Sequence, residues 1–301
     1  VKEVVIVSGK GGVGKSAISA SLGAIFMKNY KVVLADTDVD APNLNLFFSS
    51  RPRYSKVVEA SEKASIDAEK CEGCLECVVA CRFSAIAVSA DAPVLIPYFC
   101  EGCGACSIVC PAGAIEINSE SNGNIDISDI DSTVIVSGEL RIGESSSGRL
   151  VDEVKRVAKE EAGRINADLI ITDGPPGTGC PVISALKGSD YVIAVTEPTP
   201  AALSDLGAVY DVIRHFGLPS GIVINKAGLH PASESLIRDF IIKDDIPILA
   251  AISYDISVPE ATARTMPVAE AYPDAPASKG MIRLAGAVTK AVLSHSEISG
   301  D

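Results

Sequence analysis

Eight of the chain's nine cysteines fall between Cys71 and Cys110, in groups with two or three residues between neighbours. Thiols at that spacing are ligands of an inorganic centre, because a disulfide framework normally spreads its cysteines through a short secreted chain. The run Cys71, Cys74, Cys77, Cys81 returns 29 residues later as Cys100, Cys103, Cys106, Cys110. Ser84-Ala85-Ile86-Ala87-Val88 likewise returns as Gly113-Ala114-Ile115-Glu116-Ile117, so the segment holds two copies of one small unit. A triplet plus one differs from the two separated pairs that zinc prefers. A second chemistry is written at Gly9-Lys10-Gly11-Gly12-Val13-Gly14-Lys15-Ser16, a G-x-x-x-x-G-K-[ST] loop for phosphate. Gly9, Gly11, Gly12, Val13 and Gly14 would curl backbone N–H groups round the phosphates, with Ser16 and Ala17 at the positive end of the helix that follows. Lys15 would hold the β- and γ-phosphates and Ser16 would ligate Mg²⁺.

These residues need a scaffold, and the rest of the chain supplies a pattern for one. Short apolar runs predict strands at Val4–Val7, Val32–Ala35, Leu169–Thr172, Tyr191–Thr196, Gly221–Ile224 and Ile246–Ala251. Amphipathic stretches predict helices at Lys15–Lys28, Gly148–Arg164, Ala201–Phe216, Ser233–Ile242 and Ser278–Leu293. The alternation implies an α/β fold, a doubly wound and mostly parallel sheet buried on both faces. It breaks between about Ser49 and Ser132, where polar and turn-forming residues surround the cysteines, and resumes near Val134. The expected division is a nucleotide-binding unit made of residues 1–50 and 133–301, with residues 51–132 an inserted small α+β unit and its linkers.

The early lysine, Lys10, makes the phosphate loop resemble the deviant Walker A of the MinD/Mrp/nitrogenase-iron-protein family of P-loop ATPases, on both sides of the insertion. The resemblance implies ATP hydrolysis, slow and partner-stimulated, in a homodimer formed through the ATP site, with Lys10 reaching the partner's nucleotide. Asp36-Thr37-Asp38-Val39-Asp40 resembles that family's switch I, which implies that Asp38 orients the attacking water, with Asp36 and Asp40 as weaker candidates. Asp173-Gly174-Pro175-Pro176-Gly177 is similar to Walker B running into switch II. There Asp173 would hold the Mg²⁺ shell and Gly177 would offer its N–H to the γ-phosphate. Asn225 and Lys226 resemble the family's base-recognition pair. The cysteine spacing is that of bacterial two-cluster ferredoxins, in which the fourth cysteine of each run ligates the other run's cluster. By that rule Cys71, Cys74, Cys77 and Cys110 hold one 4Fe-4S cluster, and Cys100, Cys103, Cys106 and Cys81 hold the second. Cys110 is followed by Pro111, as in that pattern, but Cys81 by Arg82, a change that would favour the reduced form of the nearer cluster. Cys180 stands seven residues past Asp173, the interval of a cluster ligand in the nitrogenase iron protein. Its second ligand has no counterpart near Ser145-Ser146-Ser147, so an interface metal and an ordinary, partly buried loop residue both stay open.

Composition narrows the class. A formal charge of −13, from 26 basic and 39 acidic residues, argues against nucleic acid as the principal partner. No apolar run approaches the roughly 18 to 20 residues of a membrane helix, the stretch from Ala285 carries a single lysine, and no secretory pattern is present. A cytoplasmic protein with no membrane partner is the expectation. Three functions follow from combining a switch ATPase with two clusters: ATP-gated electron transfer to an unidentified redox or iron-sulfur acceptor protein, cluster assembly or carriage, and MinD/ParA-like spatial regulation with structural clusters. Cobyrinic acid diamide synthases share the architecture, but no glutaminase-like Cys-His pair is evident.

Overall fold

Val4, Ile6, Val32 and Leu34 face one side of a sheet and Val5, Val7, Val33 and Ala35 the other, and both sets are buried. Apolar residues at every position of a short run are what a parallel strand covered on both faces requires. The computed structural model describes residues 1–144 and 147–293. Ser145, Ser146 and the stretch from residue 294 onward therefore lie outside the described residues.

The chain begins with β1 (Lys2–Ser8), α1 (Lys15–Phe26) and β2 (Val32–Asp36), then leaves the main layer along β3 (Arg51–Val58). The cysteine segment follows as β4 (Ser61–Ile66), α2 (Glu76–Ala80), β5 (Ile86–Ser89), β6 (Ala92–Leu95), α3 (Ala105–Val109) and β7 (Ile115–Glu120). β8 (Gly123–Ile130) and β9 (Thr133–Leu140) return to the main sheet, and α4 (Ser147–Ile165), β10 (Leu169–Pro176) and α5 (Cys180–Leu186) come next. The remainder is β11 (Tyr191–Thr196), α6 (Pro200–His215), β12 (Ser220–Ala227), α7 (Pro231–Lys243), β13 (Ile248–Ser253), α8 (Ser257–Ala263), α9 (Val268–Ala271) and α10 (Pro276–Val288).

The main sheet runs β13-β12-β11-β1-β10-β2-β9-β8-β3, parallel from β13 to β9 and antiparallel through β8 and β3. All six expected strands and five expected helices are present, with small differences at their ends. β13 starts at Ile248, two residues later than expected, because Pro247 has no N–H and serves only as an acceptor, from Ile222. The sheet also takes in β3 and β8, which lie inside the 51–132 segment. Alternation on β8 explains it, since Ile125 and Ile127 are fully buried in the main core while Asn124 and Asp126 are only half-buried. The cysteine segment proper, residues 61–120, has its own small core of Ala64, Ala85, Ile86 and Ile115 with three of the thiols.

One buried ion cluster clamps the sheet to α4. Lys155 lies 3.1 Å from Glu3 and donates to the Ala185 and Lys187 carbonyls, while the Thr172 hydroxyl donates to the same Glu3 oxygen at 3.0 Å. Both charges are almost wholly buried, and although Lys159 also reaches Glu3 at 3.3 Å, removing Glu3 leaves the buried Lys155 without the carboxylate it pairs with. Glu3→Ala should cost about 3–5 kcal/mol of stability, read as a lower urea midpoint with an unchanged denaturant slope.

Candidate functional site

Between the end of β1 and the start of α1, residues 9–14 form a loop pressed from both sides. A Cβ on Gly9 would come within 2.1 Å of the Asp205 carbonyl oxygen, and one on Gly14 within 2.3 Å of Asn225 Nδ2. Gly14 is also the left-handed N-cap of α1, at φ 91°. α1 has no side-chain cap and no acid in its first turn, so the N–H groups at Lys15, Ser16 and Ala17 present an uncompensated positive end, suited to an anion. Gly11, Gly12, Gly14, Lys15, Ser16 and Ala17 line one side of an open cavity of about 410 Å³, and Asp38 and Pro176 line another.

The acids at the strand ends meet that loop. Lys15 Nζ lies 3.3 Å from Asp38 Oδ2 and 3.4 Å from Asp173 Oδ1. Burial works against the ammonium, but the carboxylates of Asp173 and Asp38 outweigh it and hold the Lys15 pKa above its ordinary value. Ser19 donates to Asp173 Oδ1 at 2.8 Å, while Asp173 Oδ2 is buried without a hydrogen-bond partner. Asp36 is fully buried and accepts from the Asn43 and Leu44 N–H groups, each at 2.8 Å. Burial, and then the charge of Asp173, push its carboxyl up to about 7. Burial raises Asp38 as well, against the pull of Lys15. Asp36 is thus a structural anchor of the loop after β2, and Asp40 is exposed.

Lys10 folds back on its own chain. Its ammonium is 2.6 Å from Glu197 Oε1 and donates to Thr199 Oγ1, while Lys226 occupies the other Glu197 oxygen at 2.7 Å and also donates to the Gly12 carbonyl. Burial alone would raise the Glu197 carboxyl, but Lys10 and Lys226 outweigh it and hold it below its usual range. Neither Glu197 nor Thr199 stood out in the sequence, since an acid after a strand belongs to no motif. Asn225 donates to the Val13 carbonyl at 2.7 Å, leaving its Oδ1 for another donor, and the Gly177 N–H donates to the Ser8 carbonyl at 2.8 Å.

The eight clustered thiols divide between two small cavities. Cys71, Cys74, Cys77 and Cys110 line one, and Cys81, Cys100, Cys103 and Cys106 line the other. Among the described residues, no three His, Cys, Asp or Glu side chains converge on one ion-sized point. The repeat is followed by the backbone: Gly73 and Leu75 are left-handed, as are Gly102 and Gly104, and Ser84 is left-handed as Gly113 is. Backbone N–H groups reach sulfur from Ala85 to Cys81 at 3.2 Å, from Ala114 to Cys110 at 3.3 Å and from Ala64 to Cys100 at 3.4 Å. Ion pairs Lys63–Glu144 at 2.8 Å and Arg149–Glu62 at 3.3 Å tie β4 to the turn after β9 and to the first turn of α4. Cys180 is exposed at the first turn of α5, beside Gly148, and is not the partly buried loop residue that was one expectation.

Comparison with known proteins agrees with this architecture. Residues 4–268 match the CobQ/CobB/MinD/ParA nucleotide binding domain. The chain belongs to this family. As a MinD/ParA-type P-loop protein it is an ATPase, and no helix among its described residues is long and apolar enough to cross a membrane. An uncharacterized protein of Methanocaldococcus jannaschii is 36% identical over 86% of this chain and 87% of its own length. An iron-sulfur cluster carrier protein of Pyrococcus horikoshii is 25% identical over 99% of this chain and 88% of its own. The cell division ATPase MinD of Pyrococcus furiosus superposes with a TM-score of 0.58 at 20% identity, over 96% of this chain and 98% of that one, a likeness of fold.

Two measurements follow. Gly14→Ala, which strains a left-handed cap and pushes on Asn225, should weaken nucleotide binding at least about tenfold, or 1.4 kcal/mol, by calorimetric titration. Asp36 titrates above the ordinary 3.8, so between that value and about 7 the folded chain binds a proton that the unfolded chain does not. Stability of the nucleotide-free protein should therefore fall as pH rises through this window, by up to about 1.4 kcal/mol per pH unit for one group. Asp36→Asn should flatten the decline in urea unfolding at pH 5, 6 and 7.

Proposed function

We propose that the chain is a dimeric switch ATPase whose nucleotide state is coupled to two 4Fe-4S clusters held in an inserted ferredoxin-like unit, and that it transfers electrons to a partner enzyme. The observation that carries this reading is the division of eight thiols into two cavities. It follows the crossed rule of two-cluster ferredoxins, with Cys110 joining the first triplet and Cys81 the second. Each cavity is lined by four thiols, the donor set that a 4Fe-4S cluster takes. When bound, such clusters supply one-electron transfer at low potential. The chain's own part is to exclude water with Ala64, Ala85, Ile86 and Ile115 and to direct N–H groups at sulfur.

At the nucleotide, the phosphate loop and α1 cradle the anion, Lys15 bridges to the β- and γ-phosphates, and Asp38 positions water. Ser16 and Asp173 fit Mg²⁺: the buried Asp173 Oδ2 has no partner, and oxygen donors are what a hard cation takes. Asn225 uses its remaining carbonyl for the base, beside Lys226. Lys10 must leave Glu197 to reach a partner subunit, and Gly177 must leave Ser8 to reach a γ-phosphate, so ATP-driven closure exchanges bonds already made within the chain. The complex of MinC with MinD from Aquifex aeolicus, similar in fold, is a precedent for partner engagement by this architecture.

The second reading, cluster carriage, is favoured by the Pyrococcus relative, named an iron-sulfur cluster carrier protein. Against it, all eight thiols are committed within one chain, whereas a cluster given away is better held by few and exposed ligands.

Anaerobic preparation should yield about eight irons per chain, two cubes of four. Redox titration by electron paramagnetic resonance, with and without Mg-ATP in Asp38→Asn, should then show a shift of about 59 mV or more, a tenfold change for one electron. Unchanged potentials together with transfer of iron and sulfide to an apo-acceptor would replace electron transfer by carriage.

A further inference from the structure

The two halves of the cysteine unit are related by a 29-residue offset, so every departure from it is a difference between the two sites. Ala64 of β4 lies in the cavity of Cys81, Cys100, Cys103 and Cys106, and its N–H donates to Cys100 Sγ at 3.4 Å. The residue 29 positions later is Pro93 of β6, which lies in the other cavity beside Cys71, the counterpart of Cys100. Proline has no N–H, so Cys71 lacks the bond that Cys100 receives. The remaining pair is balanced: Ala85 donates to Cys81 as Ala114 does to Cys110. Lys70 precedes Cys71 where Phe99 precedes Cys100, but its ammonium is paired with Asp67 at 3.1 Å, and Asp67 likewise has no charged counterpart at Ile96. Two further charge differences act in the same direction as the missing bond. Arg82 follows Cys81 where Pro111 follows Cys110, and Glu76 stands beside Cys77 where Ala105 stands beside Cys106.

An N–H donated to a ligating sulfur stabilises the extra negative charge of the reduced state and raises the potential, as does a nearby cation. A nearby carboxylate lowers it. We propose that Ala64 and Pro93 set the two sites apart in potential, making the site of Cys81, Cys100, Cys103 and Cys106 the more easily reduced. This rests on both sites holding 4Fe-4S clusters. A single electron supplied by a one-electron chemical reductant such as dithionite then resides at that site, and the site of Cys71 stays oxidised until a second electron arrives. The resting place of the first electron is the site bounded by β4, the strand whose Lys63 pairs with Glu144 before α4 and whose Glu62 pairs with Arg149 in its first turn.

The test is a dithionite titration of the anaerobically purified full chain, followed by electron paramagnetic resonance, after iron analysis. The expected result is two midpoints separated by at least tenfold in the one-electron equilibrium, about 59 mV. Pro93→Ala, which restores an N–H opposite Cys71, should raise the lower midpoint and leave the upper one. Arg82→Gln, an exposed change, should lower the upper midpoint and leave the lower one. Coincident midpoints in the wild type, or variants that move the opposite midpoint or neither, would overturn the assignment with iron still at about eight per chain. Iron well below that value in the wild type overturns the two-cluster reading itself, a distinct failure.

Discussion

Three carboxylates crowd one lysine at the centre of this molecule, and the nucleotide site is arranged around that imbalance. Asp173 pairs in register with Asp36 across β10 and β2, so the topology brings two acids together at the carboxyl ends of adjacent parallel strands. Asp38 follows two residues later, and Lys15 enters from the loop after β1, the other neighbour of β10. Like charges at such separation oppose ionisation, which the raised carboxyls of Asp36 and Asp38 express, with burial the larger cause. One acid is settled by backbone N–H groups, one by Ser19 and the lysine, and one Asp173 oxygen is left over. A cation and a polyanion bound together complete that charge balance in a way neither does alone.

The same physical theme recurs in the cysteine unit with backbone dipoles in place of side-chain charge. Left-handed residues let tight loops wind round each cavity, and N–H groups are directed at sulfur. Two of the left-handed positions in the first copy are Leu75 and Ser84, where the second copy has Gly104 and Gly113. Side chains rarely adopt that conformation without compensation, so the geometry of the first copy is imposed by its surroundings.

Much of this was legible in the residues. The phosphate loop, the strand-end acids and the repeat of the cysteines are local patterns with fixed spacing, and the parallel strands announce themselves by continuous apolar runs. What escaped was non-local or unpatterned. Glu197 gains its importance only because Lys10 and Lys226 converge on it from elsewhere in the chain. β3 was hidden because Arg51, Lys56 and most of its neighbours are exposed, as an edge strand permits. The difference between Ala64 and Pro93 is visible in sequence only once their strands are known to flank different cavities.

The cysteine segment leaves β3 and returns on β8, where Val58 pairs directly with Gly123. The chain therefore departs and re-enters at adjoining points, and residues between them can organise without waiting for the rest. The main sheet cannot, since β10, at residues 169–176, has to slide between β1 and β2, which are synthesised much earlier. On a ribosome, every clustered cysteine emerges before the strand that completes the centre of the sheet. Contacts of short sequence separation form first when loop closure sets the rate. The segment that carries the clustered thiols is thus complete on a nascent chain that does not yet possess a nucleotide site, which makes ATP binding a late event in the life of the polypeptide.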